Sequence, residues 1–252
     1  MSPMPRRIKA AAIHVAASAL VAACVAAVVF LVWYPPPFAT VAGGLALFMI
    51  LIGVDVVVGP MLTLVVASPG KRTDVLRRDI AVIAIFQTLA LGYGVYSLAE
   101  ARPVFLAFEV DRFRLLIAND VDPELLGEAP AGMQSISWSG PKLIAAAVPT
   151  NRAEFQKSLD LAMGGVDISY LPKNWRSYDS YRADVWRQAK PVAKLVDRYP
   201  ARRSEVARMA ASASQPVDAL RFLPVTAKRG DAVAILAPDA QVVGYLPVDG
   251  YF

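Results

Sequence analysis

Cysteine and histidine are almost absent from this chain of 252 residues, which has one of each, Cys24 and His14. A lone cysteine forms no intramolecular disulfide, and one cysteine with one histidine falls far short of a structural zinc site. Charge is scarce as well. Asp, Glu, Lys and Arg make up 19% of the residues against 56% hydrophobic, and the mean hydropathy is +0.44, a balance outside that of ordinary soluble domains. Disorder and a collagen-like fibre are excluded too, because neither carries so much aliphatic surface. The sequence has no Gly-rich phosphate loop, no metal-ligand cluster, and no His or Cys beyond residue 100 to act as base or nucleophile. No catalytic set, cofactor site or metal site is therefore expected, and a Ser/Lys or paired-carboxylate enzyme stays open without support from these residues.

What is abundant is long uncharged sequence near the N-terminus. Residues 10–33 contain no charged side chain, and about 24 helical residues extend about 36 Å, enough to cross a hydrocarbon core of about 30 Å. A second run, 41–66, is broken by one charge, Asp55, and a third, 80–98, is uncharged with Gln87 as its main polar residue. Three transmembrane helices are expected. Tyr34-Pro35-Pro36-Pro37-Phe38 separates the first two and predicts an extended, stiff connection closing a helix hairpin. A cleaved signal peptide fits the first run less well, because a signal core has about 7 to 15 apolar residues. Val21-Ala22-Ala23-Cys24 has the look of a lipoprotein cleavage box, but the apolar run continues past it, and Cys24 reads as a small core residue.

The net charge of +5 raises the question of nucleic acid, and its distribution answers it. From Glu100 onward there are 19 Lys and Arg against 18 Asp and Glu, so that part is close to neutral and no nucleic-acid partner is expected. Arg6, Arg7 and Lys9 precede the first run, and Lys71, Arg72, Arg77 and Arg78 lie between the second and third, whereas the proline connection has no Lys or Arg. Basic flanks mark the cytoplasmic side, so the expectation is a multi-pass membrane protein with a cytoplasmic N-terminus. Its later residues would then lie outside the cytoplasm, in the periplasm of a bacterium with an envelope. Trp33, Tyr34, Tyr93 and Tyr96 fall at the expected outer ends, among the lipid headgroups.

Residues 101–252 are expected to form a small α+β domain, following a membrane domain over 1–100. Val104–Phe108 and Arg112–Ile117 predict a hairpin. Asn151 is placed to cap a helix to about Met163, with Phe155, Leu159 and Ala162 on one face and Gly164-Gly165 at its end. A second helix is expected over Arg182–Arg198, kinked near Pro191, and a third over Arg202–Ala213. Val233–Leu236 and Val242–Leu246 predict strands flanking a turn at Pro238-Asp239-Ala240. Arg229-Gly230-Asp231 reads as a turn between strands, while Trp138, Trp175 and Trp186 fit either a core or an exposed surface.

Asp55 is the most informative position, because an ionisable side chain inside a membrane segment marks a functional site by default. It needs a partner, and the helical rise puts Gln87 within reach after modest tilting. The alternatives are an interhelical packing bond, contact with a polar group on another membrane helix, and, third, a proton or ion path. Gly53, Gly59 and Pro60 surround Asp55 and can bend its helix, and Ala19, Ala23 and Ala27 form a small-residue stripe that permits close helix approach. His14 reads as a hydrogen-bonded helix residue.

Several segments taken together carry a family resemblance. They are Trp33-Tyr34-Pro35-Pro36-Pro37, Gly53-Val54-Asp55, Gly59-Pro60-Met61-Leu62-Thr63-Leu64, Pro69-Gly70-Lys71, Arg102-Pro103-Val104 and Phe108-Glu109-Val110-Asp111-Arg112-Phe113. This set resembles the type IV pilin accessory proteins, the TfpX/TfpZ and FimB-like family. The resemblance is strong over roughly the first 120 residues and rests beyond them mainly on Val242-Val243-Gly244-Tyr245-Leu246. It implies a bacterial inner-membrane protein that assists a cognate major pilin in a chaperone-like role, with membrane lipid around it and no enzymatic activity. A component of a pilin-modifying system, such as glycosylation, and a sensory or transport subunit are the alternative readings.

Overall fold

The computed structural model describes residues 6–67 and 70–252, so Pro69 of the quoted motif lies outside the described residues. The chain divides into two compact units. One comprises residues 1–33 and 44–100, the other residues 34–43 and 101–252.

The first unit is helical. Helix α1 (Arg6–Val28) continues as a π-helical stretch, Val29–Trp33. After the connection, which contains the short helix α2 (Phe38–Val41), the second span is built from α3 (Gly44–Ile52), a π-helical segment Gly53–Val58, and α4 (Gly59–Val66), and the third span is α5 (Thr73–Glu100). Among the described residues three segments are long and apolar enough to cross a membrane, Ile8–Trp33, Gly44–Val66 and Thr73–Glu100. This is a membrane protein with a further folded domain.

Helix α5 starts earlier than the uncharged run at Ile80, because Asp74 and Asp79 offset the basic residues of its first turns. Lys71 pairs with Asp79 at 2.5 Å and also donates to the Val66 carbonyl at the end of α4. The first two spans run antiparallel, with Phe30 packed edge-on against Phe48 at one end and His14 bonded to Thr63 at the other. The inner face of the first span is the row Ala11, His14, Ser18, Ala22, Val25 and Val29, spaced by three or four residues. Ala19, Ala23 and Ala27 lie off that row and are exposed. Cys24 is likewise exposed rather than a core residue, because the inner row passes beside it.

The proline connection is not an extended strap. Phe38 N–H bonds to Pro35 O at 2.9 Å and Thr40 N–H to Pro37 O at 3.1 Å, a turn leading into α2. Tyr34, Phe38 and Val41 are buried, and the Phe38 ring packs on Tyr245 at 4.9 Å. Apolar burial draws this segment into the second unit, which is also why Tyr34 is not an exposed interfacial ring.

The second unit is built on a mixed sheet in the order β4-β3-β1-β2-β6-β7-β8, with β5 also paired to β6. Its strands are β1 (Pro103–Glu109), β2 (Arg112–Ile117), β3 (Lys142–Ala146), β4 (Trp175–Ser177), β5 (Lys190–Pro191), β6 (Arg221–Thr226), β7 (Asp231–Leu236) and β8 (Val242–Leu246). Its helices are α6 (Arg152–Met163), α7 (Arg182–Gln188), α8 (Val192–Arg198) and α9 (Arg203–Ser212), giving the α+β class expected. Strand β1 is buried along its length because it lies between antiparallel β2 and parallel β3.

Two apolar clusters fill this unit. One gathers Phe105, Leu116, Ile144 and Trp175, and the other gathers Leu195, Val206, Phe222 and Ile235. The expected helix over 182–198 is two helices, since Lys190-Pro191 leaves the helical path to pair with β6. Asn151 caps α6 by accepting from the Ala153 N–H at 2.9 Å, but Phe155 and Leu159 are exposed; the side chain of Ala162 lies outside the described residues. Trp175 is core and Trp138 is 63% exposed, while Trp186 is half-buried beneath Arg221. Residues 227–230 join β6 to β7, so Arg229-Gly230-Asp231 is a turn running into a strand.

Candidate membrane docking site

The polar centre of the helical unit starts from a fault in the backbone. The Gly59 N–H bonds to Val54 O, an i→i+5 link, and is therefore not available to the Asp55 carbonyl, its α-helical acceptor. The π-helical donor for that carbonyl would be residue 60, which is proline and has no N–H. Asp55 O is left without a partner in its own helix. Gln87 of α5 fills the vacancy, its Nε2 donating to Asp55 O at 3.2 Å.

Gly59 makes this possible. A Cβ at that position would lie 1.8 Å from Gln87 Nε2, so the side chain reaches the backbone only where there is no Cβ. The companion close approach is Gly94 of α5 under Leu51. Gly53, by contrast, has open space around its Cα.

A second chain of bonds joins α1 to α4. The Thr63 hydroxyl donates to Gly59 O at 3.2 Å and contacts His14 Nδ1 at 2.6 Å. A hydroxyl has a single proton, already given to Gly59 O, so the network assigns the proton of the second bond to His14 Nδ1. Thr63 was not singled out in the sequence; its signal was the i,i+4 spacing to Gly59, which suits hydroxyl back-bonding.

Asp55 stands at the middle of the span Gly44–Val66 and is 7% exposed. Its Oδ1 is buried and has no hydrogen-bond partner. The carboxyl forms part of a groove of about 200 Å³, walled by His14, Ala17 and Ser18 of α1 and by Ala84, Gln87 and Thr88 of α5. Ala17, Ser18 and Ala84 line it beside the larger Val21 and Leu91, and small residues permit the close approach of another helix. Of the residues expected at the site, Asp55, Gly59, Pro60 and Gln87 thus converge, while Ala19, Ala23 and Ala27 lie on another face of α1. Such an arrangement offers a hydrogen-bond acceptor in an apolar setting.

The family described as fimbrial assembly protein FimB matches residues 2–43, which include α1 and the proline connection. The fimbrial assembly protein of serogroup I from Dichelobacter nodosus is 30% identical over 245 residues, 96% of this chain and 95% of that protein. The chain belongs to the FimB-like fimbrial assembly protein family. The serogroup E1 protein of the same organism is 29% identical over 245 residues, again 96% and 95% of the two chains. A shorter fimbrial assembly protein of the same organism, that of serogroups C1 and C2, is 39% identical over 122 residues, 48% of this chain and 91% of its own length. No solved structure matches this chain.

Proposed function

We infer that this fimbrial assembly protein is a chaperone-like partner of the major type IV pilin at the bacterial inner membrane. Its N-terminus would be cytoplasmic and its α+β unit periplasmic, an orientation supported by the basic residues in the first turn of α1 and those just before and within the first turns of α5. A pilin awaiting assembly is a membrane helix joined to an exported globular head. A chain that combines a helix bundle and a separate folded unit is physically suited to hold both parts. The role is binding rather than catalysis.

The observation that carries the reading is the mid-span Asp55 at the groove between α1 and α5, in a chain whose near full-length relative is named a fimbrial assembly protein. In a division of labour, the bundle holds the pilin helix and the outer unit recognises the head. Retention of co-expressed pilin on the wild-type chain, on Asp55→Leu, and on a chain truncated after Arg102 tests this. Weaker retention by each variant is expected; undiminished retention by both would remove the division of labour.

A further inference from the structure

We propose that the Asp55 carboxyl accepts a hydrogen bond from a donor group carried at mid-bilayer depth by the partner's membrane helix, seated between α1 and α5. The inference rests on the pilin reading above and specifies its chemistry. An acceptor buried in apolar surroundings without a donor is costly, and membrane segments retain ionisable groups where they meet a partner or a cavity. Three hydrogen-bond donors of the bundle are committed elsewhere. Gln87 Nε2 is held by the Asp55 backbone carbonyl, the Thr63 hydroxyl by Gly59 O, and the Thr88 hydroxyl by Ala84 O. The unsatisfied Oδ1 belongs to the carboxyl at the floor of the groove, and rotation about χ2 exchanges the two carboxyl oxygens.

The occupant is a helix because the groove lies inside the membrane span, where a chain must satisfy its own backbone groups. Ala17 and Ala84 stand on facing walls, and small residues permit backbone approach. A hydroxyl, amide or protonated amine on that helix would complete the Asp55 carboxyl. Lipid alone would supply packing but no donor at that depth.

The test uses the full chain in its membrane with Cys24→Ala, so that an introduced cysteine is the only one. Single cysteines at Ala17→Cys, Ala84→Cys and Ala23→Cys are cross-linked to co-expressed pilin carrying single cysteines along its membrane helix. Adducts are expected from Ala17→Cys and Ala84→Cys and not from Ala23→Cys, which lies outside the groove. Adding Asp55→Leu should lower adduct yield about tenfold, the equivalent of about 1.4 kcal/mol, whereas Asp55→Asn, which keeps an acceptor oxygen, should stay within about twofold of wild type. Thermal unfolding in detergent identifies any variant that has lost its bundle, and Asp55→Asn then decides the matter. Unchanged adducts in Asp55→Leu, equal loss in Asp55→Asn, or equal adducts from Ala23→Cys would overturn the inference. Pilin retained on the chain without groove adducts overturns the groove and leaves the pilin reading standing; no retention of pilin overturns both.

Discussion

Gln87 reaches Asp55 at its backbone carbonyl, 3.2 Å away, and not at its carboxyl. The distinction separates two roles within one residue. The backbone of Asp55 ties the second span to the third, and the side chain is left for something else. The first role is structural, and Gln87→Leu should lower bundle stability by about 1 kcal/mol, the scale of an interhelical hydrogen bond in a membrane. Gly59→Ala should cost a similar amount by displacing the same amide, and the double substitution should cost little more than either single one. Unfolding in mixed detergent micelles measures all three; additive losses would show that Gly59 and Gln87 act separately.

In the sheet unit, Tyr178 donates through its buried hydroxyl to Ala240 O at 2.6 Å, and burial raises its pKa to about 12. The bond fixes the β7–β8 turn, where Asp239 and Ala240 both have positive φ. Tyr178→Phe is expected to destabilise the unit by about 1 to 2 kcal/mol, since it leaves that carbonyl unpaired. A shift in the chemical-denaturation midpoint of the full chain checks it.

Glu109 gives a pH dependence. It is buried, with Oε2 unbonded. Burial chiefly, with Asp167 adding negative charge, holds its carboxyl above the usual carboxylate range, although Arg114 opposes the shift. The folded state therefore binds the proton more tightly than the unfolded chain. Glu109 favours folding most at acidic pH, and its contribution declines as pH rises from the ordinary carboxyl value through the raised one. Glu109→Gln should be more stable than wild type at neutral pH, with the difference shrinking on acidification. Thermal unfolding of both chains across that range gives the sign.

The helix α6 was legible as amphipathic, yet Phe155, Leu159 and Met163 are exposed on it. Leu159→Ser and Phe155→Ser should therefore change stability by less than about 0.5 kcal/mol, the range of exposed positions. Phe113→Ala, which empties a fully buried site on β2, should cost about 3 to 5 kcal/mol. Equal losses at Phe155 and Phe113 would show that α6 packs by its apolar face.

Much of this fold was readable in the residues, and the exceptions have physical reasons. The three spans follow from long runs without charge, and the β1–β2 hairpin follows from β-branched and aromatic residues. Strand β6 was hidden by Pro224, which normally argues against a central strand. It is tolerated because β5 pairs with β6 at Arg221 and Phe222 and β2 only at Val225 and Thr226, so the proline falls between two ladders on that edge. Strand β3, with its Ala-rich Lys142–Ala146 sequence, lacks strand propensity and owes its state to pairing with β1. At the site, Asp55, Gly59, Pro60 and Gln87 were legible individually. The widened helix that makes Asp55 O need Gln87 was not, since it depends on hydrogen-bond register rather than residue type.

The proposed role as a partner of pilin is tested most directly by deleting the gene, counting surface pili and measuring the amount and mass of the pilin. The account predicts lost or sharply reduced piliation with pilin of unchanged mass, restored by the wild-type chain and poorly by Asp55→Leu. Unchanged pilus number on deletion, or loss accompanied by altered pilin mass, would contradict it.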